Sequence, residues 1–353
     1  MSQETMDWLN KNVLVGFTES RKSPGNPDGV AWHYDKKFQG DEDNHYTGAI
    51  PVEDVRRRLF SWEPELLPVF YEHNGERVDC DYIAAVNGDT GELMGIHGKD
   101  YVAHSYNQWL IDYVSSILDD NLQIGSAALL RDGAVAFVTV EVPENVTTPE
   151  GVQFRPYLCA VTSLNGSIAT TFKRCITNWV CDNTMSAGLR EEGQEFKVKH
   201  TKNSIARLTD ARQALSIVHS IADDFTAEVK RLCEIEVSKP MFSKFLDEYS
   251  PIPEEDIARK ESDGSYMVLN KKAITQATNR RDELTHMYYH DPRVNDHQGT
   301  AWGVLQAVNT FANHRSQTRG TIREERNMLN MVTGKFDTVD SEALETLSKV
   351  IAA

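Results

Sequence analysis

The apolar positions of this chain change period near residue 204, and the change separates two kinds of element. Upstream, short apolar runs alternate with turn residues. Leu66–Glu72 and Tyr82–Val86 flank Asn74-Gly75, and Asn87-Gly-Asp-Thr-Gly91 precedes Leu93–Ile96. That pattern predicts strands joined by tight turns. Gln123–Leu130, the turn Arg131-Asp-Gly133 and Ala134–Val142 form the clearest hairpin. A second one runs from Phe154–Thr162 through Leu164-Asn-Gly166 to Ile168–Cys175. Two helices interrupt the strands. One starts at Pro51, with Glu53 and Asp54 in its first turn and Val52, Val55, Leu59 and Phe60 as its apolar face. The other covers Ser105–Leu118, where Trp109, Tyr113 and Ile117 share a face.

Downstream, Leu208, Ala211, Leu215, Val218, Ala222, Phe225, Val229 and Leu232 are spaced alternately 3 and 4 apart. This is a heptad seam on a helix of about 30 residues. It fits first a helix packed on its own sheet, and after that a contact between subunits. Further helices are expected over 241–248, 270–289, 299–315, 321–332 and 339–351, with breaks at Pro251-Ile-Pro253 and Asp291-Pro292. The expected fold is α+β: an antiparallel, hairpin-built sheet with a long helix packed on it, followed by a mainly helical C-terminal part. Residues 1–50, with the turn-rich Ser23–Gly29, read as an irregular arm with little core of its own. Residues 51–237 read as the α+β core with its long helix, and 238–353 as the mainly helical region.

Charge changes the picture of partners. The chain has 353 residues, and 37 Lys and Arg face 53 Asp and Glu, a formal net charge of −16. That excludes a uniformly basic nucleic-acid coat but leaves room for a local basic stripe. Apolar runs fall far short of the ~18 residues a membrane helix needs. The N-terminus lacks a basic stretch followed by an apolar one. A cytoplasmic protein without membrane contact is expected. The five cysteines are scattered, without a CxxC pair, which fits reduced thiols.

A basic stripe is the leading candidate site. Lys173 and Arg174 fall late in the second hairpin. Lys197, Lys199, His200, Lys202, Arg207 and Arg212 follow within 16 residues, opposed only by Asp210. Cations at period two on a strand can track a phosphate backbone, and Phe172, Trp179 and Phe196 are available for base stacking. The same lysines also suit a solvated edge strand guarded against aggregation. Asn178–Met185 reads as a strand-to-helix junction, with Asp182 or Asn183 as the cap. Cys181 and His200 suit Cys–His nucleophilic chemistry only if they meet in space; a buried structural cysteine is the simpler reading. His286 and His290, one helical turn apart, are a weak metal motif. Arg315, Arg319, Arg323 and Arg326 repeat at 4, 4 and 3, which makes either a basic helix stripe or local ion pairs. No GxxxxGK[ST], GxGxxG after a strand, or GxSxG occurs. No catalytic residue, metal ligand or cofactor is assigned.

Several segments together carry a resemblance. They are Gly98-Lys-Asp-Tyr101, Tyr157-Leu-Cys-Ala-Val-Thr-Ser-Leu-Asn-Gly166, Asn178-Trp-Val-Cys-Asp-Asn-Thr-Met185, Phe196-Lys-Val-Lys-His-Thr201 and Ala206-Arg-Leu208. Thr300-Ala-Trp-Gly303, Gln306-Ala-Val-Asn309, His314 and Arg323 to Arg326 complete the string. The chain resembles, over roughly residues 30–345, the phage/plasmid-like family of uncharacterised proteins from actinobacterial phages, prophages and plasmids. That resemblance implies a protein of the host cytoplasm and supplies no catalytic residues. The order of elements is similar, more loosely, to Rad52-like single-strand annealing proteins. The first functional expectation is therefore a phage-type protein that binds or anneals single-stranded DNA in recombination or replication, as a homo-oligomer. Its nucleic-acid-binding residues would be Lys173, Arg174, Lys197, Lys199, Lys202, Arg207, Trp179 and Phe196. The alternative is a non-enzymatic interaction module that regulates phage functions or inhibits a host protein. A Cys/His or metal-dependent hydrolase is the third reading.

Overall fold

The computed structural model describes residues 2–352 apart from 23–25, 32–33, 116–117, 119–122, 143–144, 179–182, 187–195, 199–210 and 261–265. The stretch expected to be irregular opens on a helix, α1 (Gln3–Asn12), because the Ser2 hydroxyl caps it by accepting from the Thr5 amide. It runs straight into strand β1 (Val13–Val15). Met6, Leu9, Val13, Leu14 and Val15 are all buried, so this arm does contribute core. Its apolar residues are too few to show a clear period in the sequence.

Helix α2 (Val52–Arg58) starts at Pro51 as expected. Strands β2 (Pro64–His73) and β3 (Glu76–Asn87) are joined by Asn74 and Gly75, both at positive φ (51° and 81°), as a two-residue hairpin turn requires. β4 (Leu93–Gly98) completes a three-stranded sheet in the order β2-β3-β4. The helix expected over 105–118 is a π-helical turn, Asn107–Asp112, followed by the short α3 (Tyr113–Ser115).

The main sheet follows: β5 (Gln123–Leu130), β6 (Val135–Glu141), β7 (Val146–Thr147), β8 (Gln153–Ser163), β9 (Thr170–Asn178), β10 (Asn183–Ser186) and β11 (Phe196–Val198). Its order is β1-β5-β6-β8-β9-β10, with β7 on β8 and β11 also on β9, and every pair is antiparallel. The β5–β6 turn holds Arg131, Asp132 and Gly133 at φ 50°, 54° and 90°. Met185, expected on a helix, sits on β10 opposite Ile176. Pairing along the open side of β9 prevailed over the local capping signal.

Helix α4 (Ala211–Glu234) carries the heptad seam. In its described half, Phe225, Val229 and Leu232 are buried within the chain. The Phe225 ring lies 4.6 Å from Phe154 of β8 and 5.8 Å from Trp302. That half of the seam packs on its own sheet and on a helix of the same chain. Next come α5 (Lys239–Tyr249), the hairpin β12 (Ile257–Lys260) and β13 (Tyr266–Val268), and α6 (Lys271–His290). α7 (Ala301–Thr310) is buried at every residue and continues as a π-helical turn, Phe311–Arg315. α8 (Arg323–Thr333) and α9 (Lys335–Ala352) end the chain. The fold is thus α+β, with antiparallel hairpins first and helices after. Among the described residues no helix is long and apolar enough to cross a membrane.

The sheet is apolar on both faces. Ala136, Val138, Leu158 and Ala160 pack towards α2 and the π-helical turn, and Phe154 and Ile176 of the same face meet α4 and α7. On the opposite face Phe137, Tyr157, Cys159 and Cys175 meet Met6 and Leu9 of α1 and Met331 and Phe336 of α8 and α9. One ionic tie lies inside. Arg155, fully buried, donates to Glu141 at 3.4 Å and to Asn145 at 2.7 Å, and its guanidinium stacks 4.9 Å over Phe17. Gly125 is required beside it, since a Cβ there would collide with the Glu141 carboxyl group. Glu141→Gln removes the negative charge beside the buried guanidinium and should cost about 3 kcal/mol. Urea unfolding followed by circular dichroism measures it, and an unchanged midpoint would show that the pair does not hold the arm to the sheet.

Candidate functional site

Of the predicted basic stripe, the structure describes Lys173 and Arg174 on β9 and Lys197 on β11, which lies on the outer side of β9. β10 covers one end of that side, where Asn183–Ser186 pair with Cys175–Asn178. β11 covers the other, where Phe196, Lys197 and Val198 lie opposite Phe172, Thr171 and Thr170. Among the described strands β11 pairs with β9 alone. Phe196 and Lys197 therefore stand on a strand at the sheet edge. Arg174 occupies the β9 position opposite Leu158. Trp179, Lys199, Lys202 and Arg207 lie outside the described residues, as do Cys181 and His200.

Lys173 is placed differently from a solvated cation. It is 4% exposed. Its Nζ donates to Asp337 Oδ2 at 2.9 Å and to the Met331 carbonyl at 3.4 Å. Met331 belongs to the last turn of α8, where a cation is favoured by the helix dipole. Gly334 makes this possible by ending α8 in a left-handed conformation (φ 76°), so that α9 turns back over the lysine. Lys173 thus ties the sheet to the α8–α9 corner. Phe172 is buried as well and belongs to the core rather than to a stacking surface.

The arginines near the C-terminus act mainly as caps. Arg326 donates to the Ala312 and Ser316 carbonyls, each at 3.1 Å, and Arg323 donates to Ser316 O at 3.0 Å. These carbonyls end the π-helical turn that follows α7. Burial, and then the charge of Arg323, lowers the Arg326 pKa from its usual value. Arg315 lies 3.9 Å from Glu283, and Arg319 donates to Gln317 at 3.2 Å. A uniform basic stripe is not formed.

One Cys–His pair escaped the sequence. Cys233 Sγ, near the end of α4, lies 3.9 Å from His297 Nδ1, 64 residues away. Burial, reinforced by the Glu150 carboxylate, pushes the Cys233 thiol up to about 11. Burial also lowers the His297 pKa from its usual value. Both shifts oppose a thiolate–imidazolium pair, so at neutral pH the thiol stays protonated. His286 and His290 stand with ring centroids 5.4 Å apart on α6. Among the described residues no group of three or more His, Cys, Asp or Glu is placed to hold a metal ion.

These elements define an α+β protein built on one two-sided antiparallel sheet, with Lys197 on the strand at its outer side. Comparison with known proteins then places it. The chain belongs to the family described as Domain of unknown function (DUF932), whose model matches residues 93–333. The expected membership of an uncharacterised family is borne out at that level. The match starts at the first residue of β4, so β2 and β3 precede it. No curated protein and no solved structure matches the chain.

Lys173→Met should destabilise the protein by about 1–3 kcal/mol. The lower part of that range is favoured because the Asp337 carboxylate is 42% exposed and regains water. A chemical denaturation series checks it, and stability equal to the parent would remove Lys173 from the sheet–helix tie.

Proposed function

We propose that the protein binds single-stranded nucleic acid along the outer edge of the main sheet, at the segment that begins with β11. The observation that carries this reading is the position of the dense cationic stretch. In a chain of net charge −16, Lys197, Lys199, Lys202, Arg207 and Arg212 fall within 16 residues in which Asp210 is the one acid. The first of them stands on an edge strand. An acidic body repels phosphates everywhere else, so a strand would be confined to this edge. Phe196 and Trp179 supply rings of the kind on which bases stack. Arg174 remains in the candidate set, whereas Lys173 serves the fold.

In this reading several copies line up along one strand, and the phage/plasmid-like resemblance favours a role in annealing during recombination or replication.

Fluorescence anisotropy of a labelled single-stranded 30-mer, across a salt series and with duplex as control, tests this. Binding should favour the single strand and weaken steeply with salt. Exchanging Lys197 and Lys199 for glutamine should lower the salt slope by about 1.4, at ~0.7 per phosphate contact. Lys173→Met should leave the slope unchanged. No binding at low salt, or an unaltered slope in the double variant, would reject the assignment.

A further inference from the structure

The three-stranded sheet stands apart from the cores. Of residues 64–98, only Met94 belongs to one of the three hydrophobic clusters among the described residues. One face of this sheet still reads as a core. Side chains alternate along a strand, and register aligns them across strands. Leu67, Ala84 and Ile96 form one cross-strand row, and Tyr71 faces Val78 in another. Tyr82 lies between them on β3. Leu67, Tyr71, Tyr82 and Ile96 are 40%, 55%, 55% and 56% exposed. Apolar and aromatic groups gathered so on an open face mark a contact surface.

The opposite face is occupied at its base and only partly covered beyond it, where Leu66 and Phe70 are 37% and 52% exposed. At its base His97 bonds to the Leu164 carbonyl at 2.7 Å, and Gly95 lies tight against Leu164 and Asn165. Near its tip Arg77 stacks 4.0 Å from the Phe70 ring and pairs with Asp79 at 2.8 Å. The edges suit strand addition poorly. β2 carries Pro64 and Pro68, and β4 is six residues long with two glycines. Contact therefore falls on the face rather than along an edge.

Charge selects the occupant. Residues 64–98 hold seven carboxylates and one arginine. Glu65 and Glu76 share the apolar face, one at each end, both exposed and neither with an ion-pair partner among the described residues. A second copy of this chain would bring the same acidic rims together. Nucleic acid and anionic lipid would meet the same repulsion. A cationic protein segment would not.

Dimensions select its shape. From Val78 to Ala84 the face runs ~20 Å, and its outer strands lie ~10 Å apart. One α-helix of about 13 residues fits that strip in length and width.

We propose that the outer face of the β2-β3-β4 sheet docks an amphipathic helix of a partner protein, with an apolar stripe of three to four turns flanked by Lys or Arg. Leu67, Tyr71, Tyr82 and Ile96 take the stripe, and Glu65 and Glu76 meet the flanking cations. The site is separate from the β11 edge and needs no nucleic acid.

The probe is a fluorescein-labelled 16-residue helical peptide of leucine and lysine. A scrambled peptide of the same composition and a leucine–glutamate version are the controls. Cys80 gives a second readout, because it sits partly exposed on β3 between Val78 and Tyr82. The full chain should bind the probe at least tenfold more tightly than either control. Bound peptide should slow alkylation of Cys80, followed by mass spectrometry of the peptide that contains it, at least fivefold. Tyr71→Ser with Tyr82→Ser should weaken binding at least tenfold, and Glu65→Lys with Glu76→Lys should shift preference towards the glutamate version. If the tyrosine variant does not fold by circular dichroism, Ile96→Ser serves in its place. Probe binding that is equal in parent and variants, or that leaves Cys80 as reactive as before, would overturn the proposal. So would no binding at all. A parent that sediments as a dimer, becomes monomeric on Ile96→Ser and ignores the peptide would overturn it in favour of a second copy.

Discussion

A sheet that is apolar on both faces must be covered twice, and this requirement organises the molecule. All seven residues of β6 are buried, as are ten of the eleven in β8. Strands of this kind show unbroken apolar runs rather than alternation. One face is closed by α2 and the π-helical turn at one end and by α4 and α7 at the other. The opposite face is closed by α1 from the start of the chain and by α8 and α9 from its end. The helical region is thus the second and third layer of the sheet's own core. α7, buried at every residue, is held between the other helices and the sheet.

Polar groups enter this interior only where they tie elements that apolar packing alone would leave free to slide. Arg155 and Glu141 register the N-terminal arm against β6 and β8. Lys173 does the same for the α8–α9 corner, and Arg326 for the end of the α7 extension. Buried charges of this kind cost desolvation and confer specificity of arrangement more than net stability. Each is a cation that reads as surface-seeking in a linear sequence.

That explains how much was legible. The hairpins, the two helical boundaries around Pro251 and Asp291, and the described seam of α4 follow from period and turn chemistry, which are local. Lys173 was misplaced because its partner, Asp337, is 164 residues away and leaves no local trace. β10 was read as a helix start because capping residues and edge-strand residues overlap in type. The Cys233–His297 pair depends on how α4 and the loop before α7 meet, which no spacing encodes. The outer face of β2-β3-β4 was legible as strands, but apolar alternation usually signals burial, so its exposure emerges only from the three-dimensional arrangement.

The closing of one sheet face by both chain ends bears on biosynthesis. Tyr157, Cys159 and Cys175 emerge from a ribosome well before Met331 and Phe336, which cover them in the finished protein. During that interval half of an apolar sheet face is bare. Nascent chains in this condition are open to non-native association. The last two helices therefore act as a lock that engages only after Met331 and Phe336 have been made. A chain interrupted before residue 331 would lack Met331 and Phe336 and leave Tyr157, Cys159 and Cys175 without that cover.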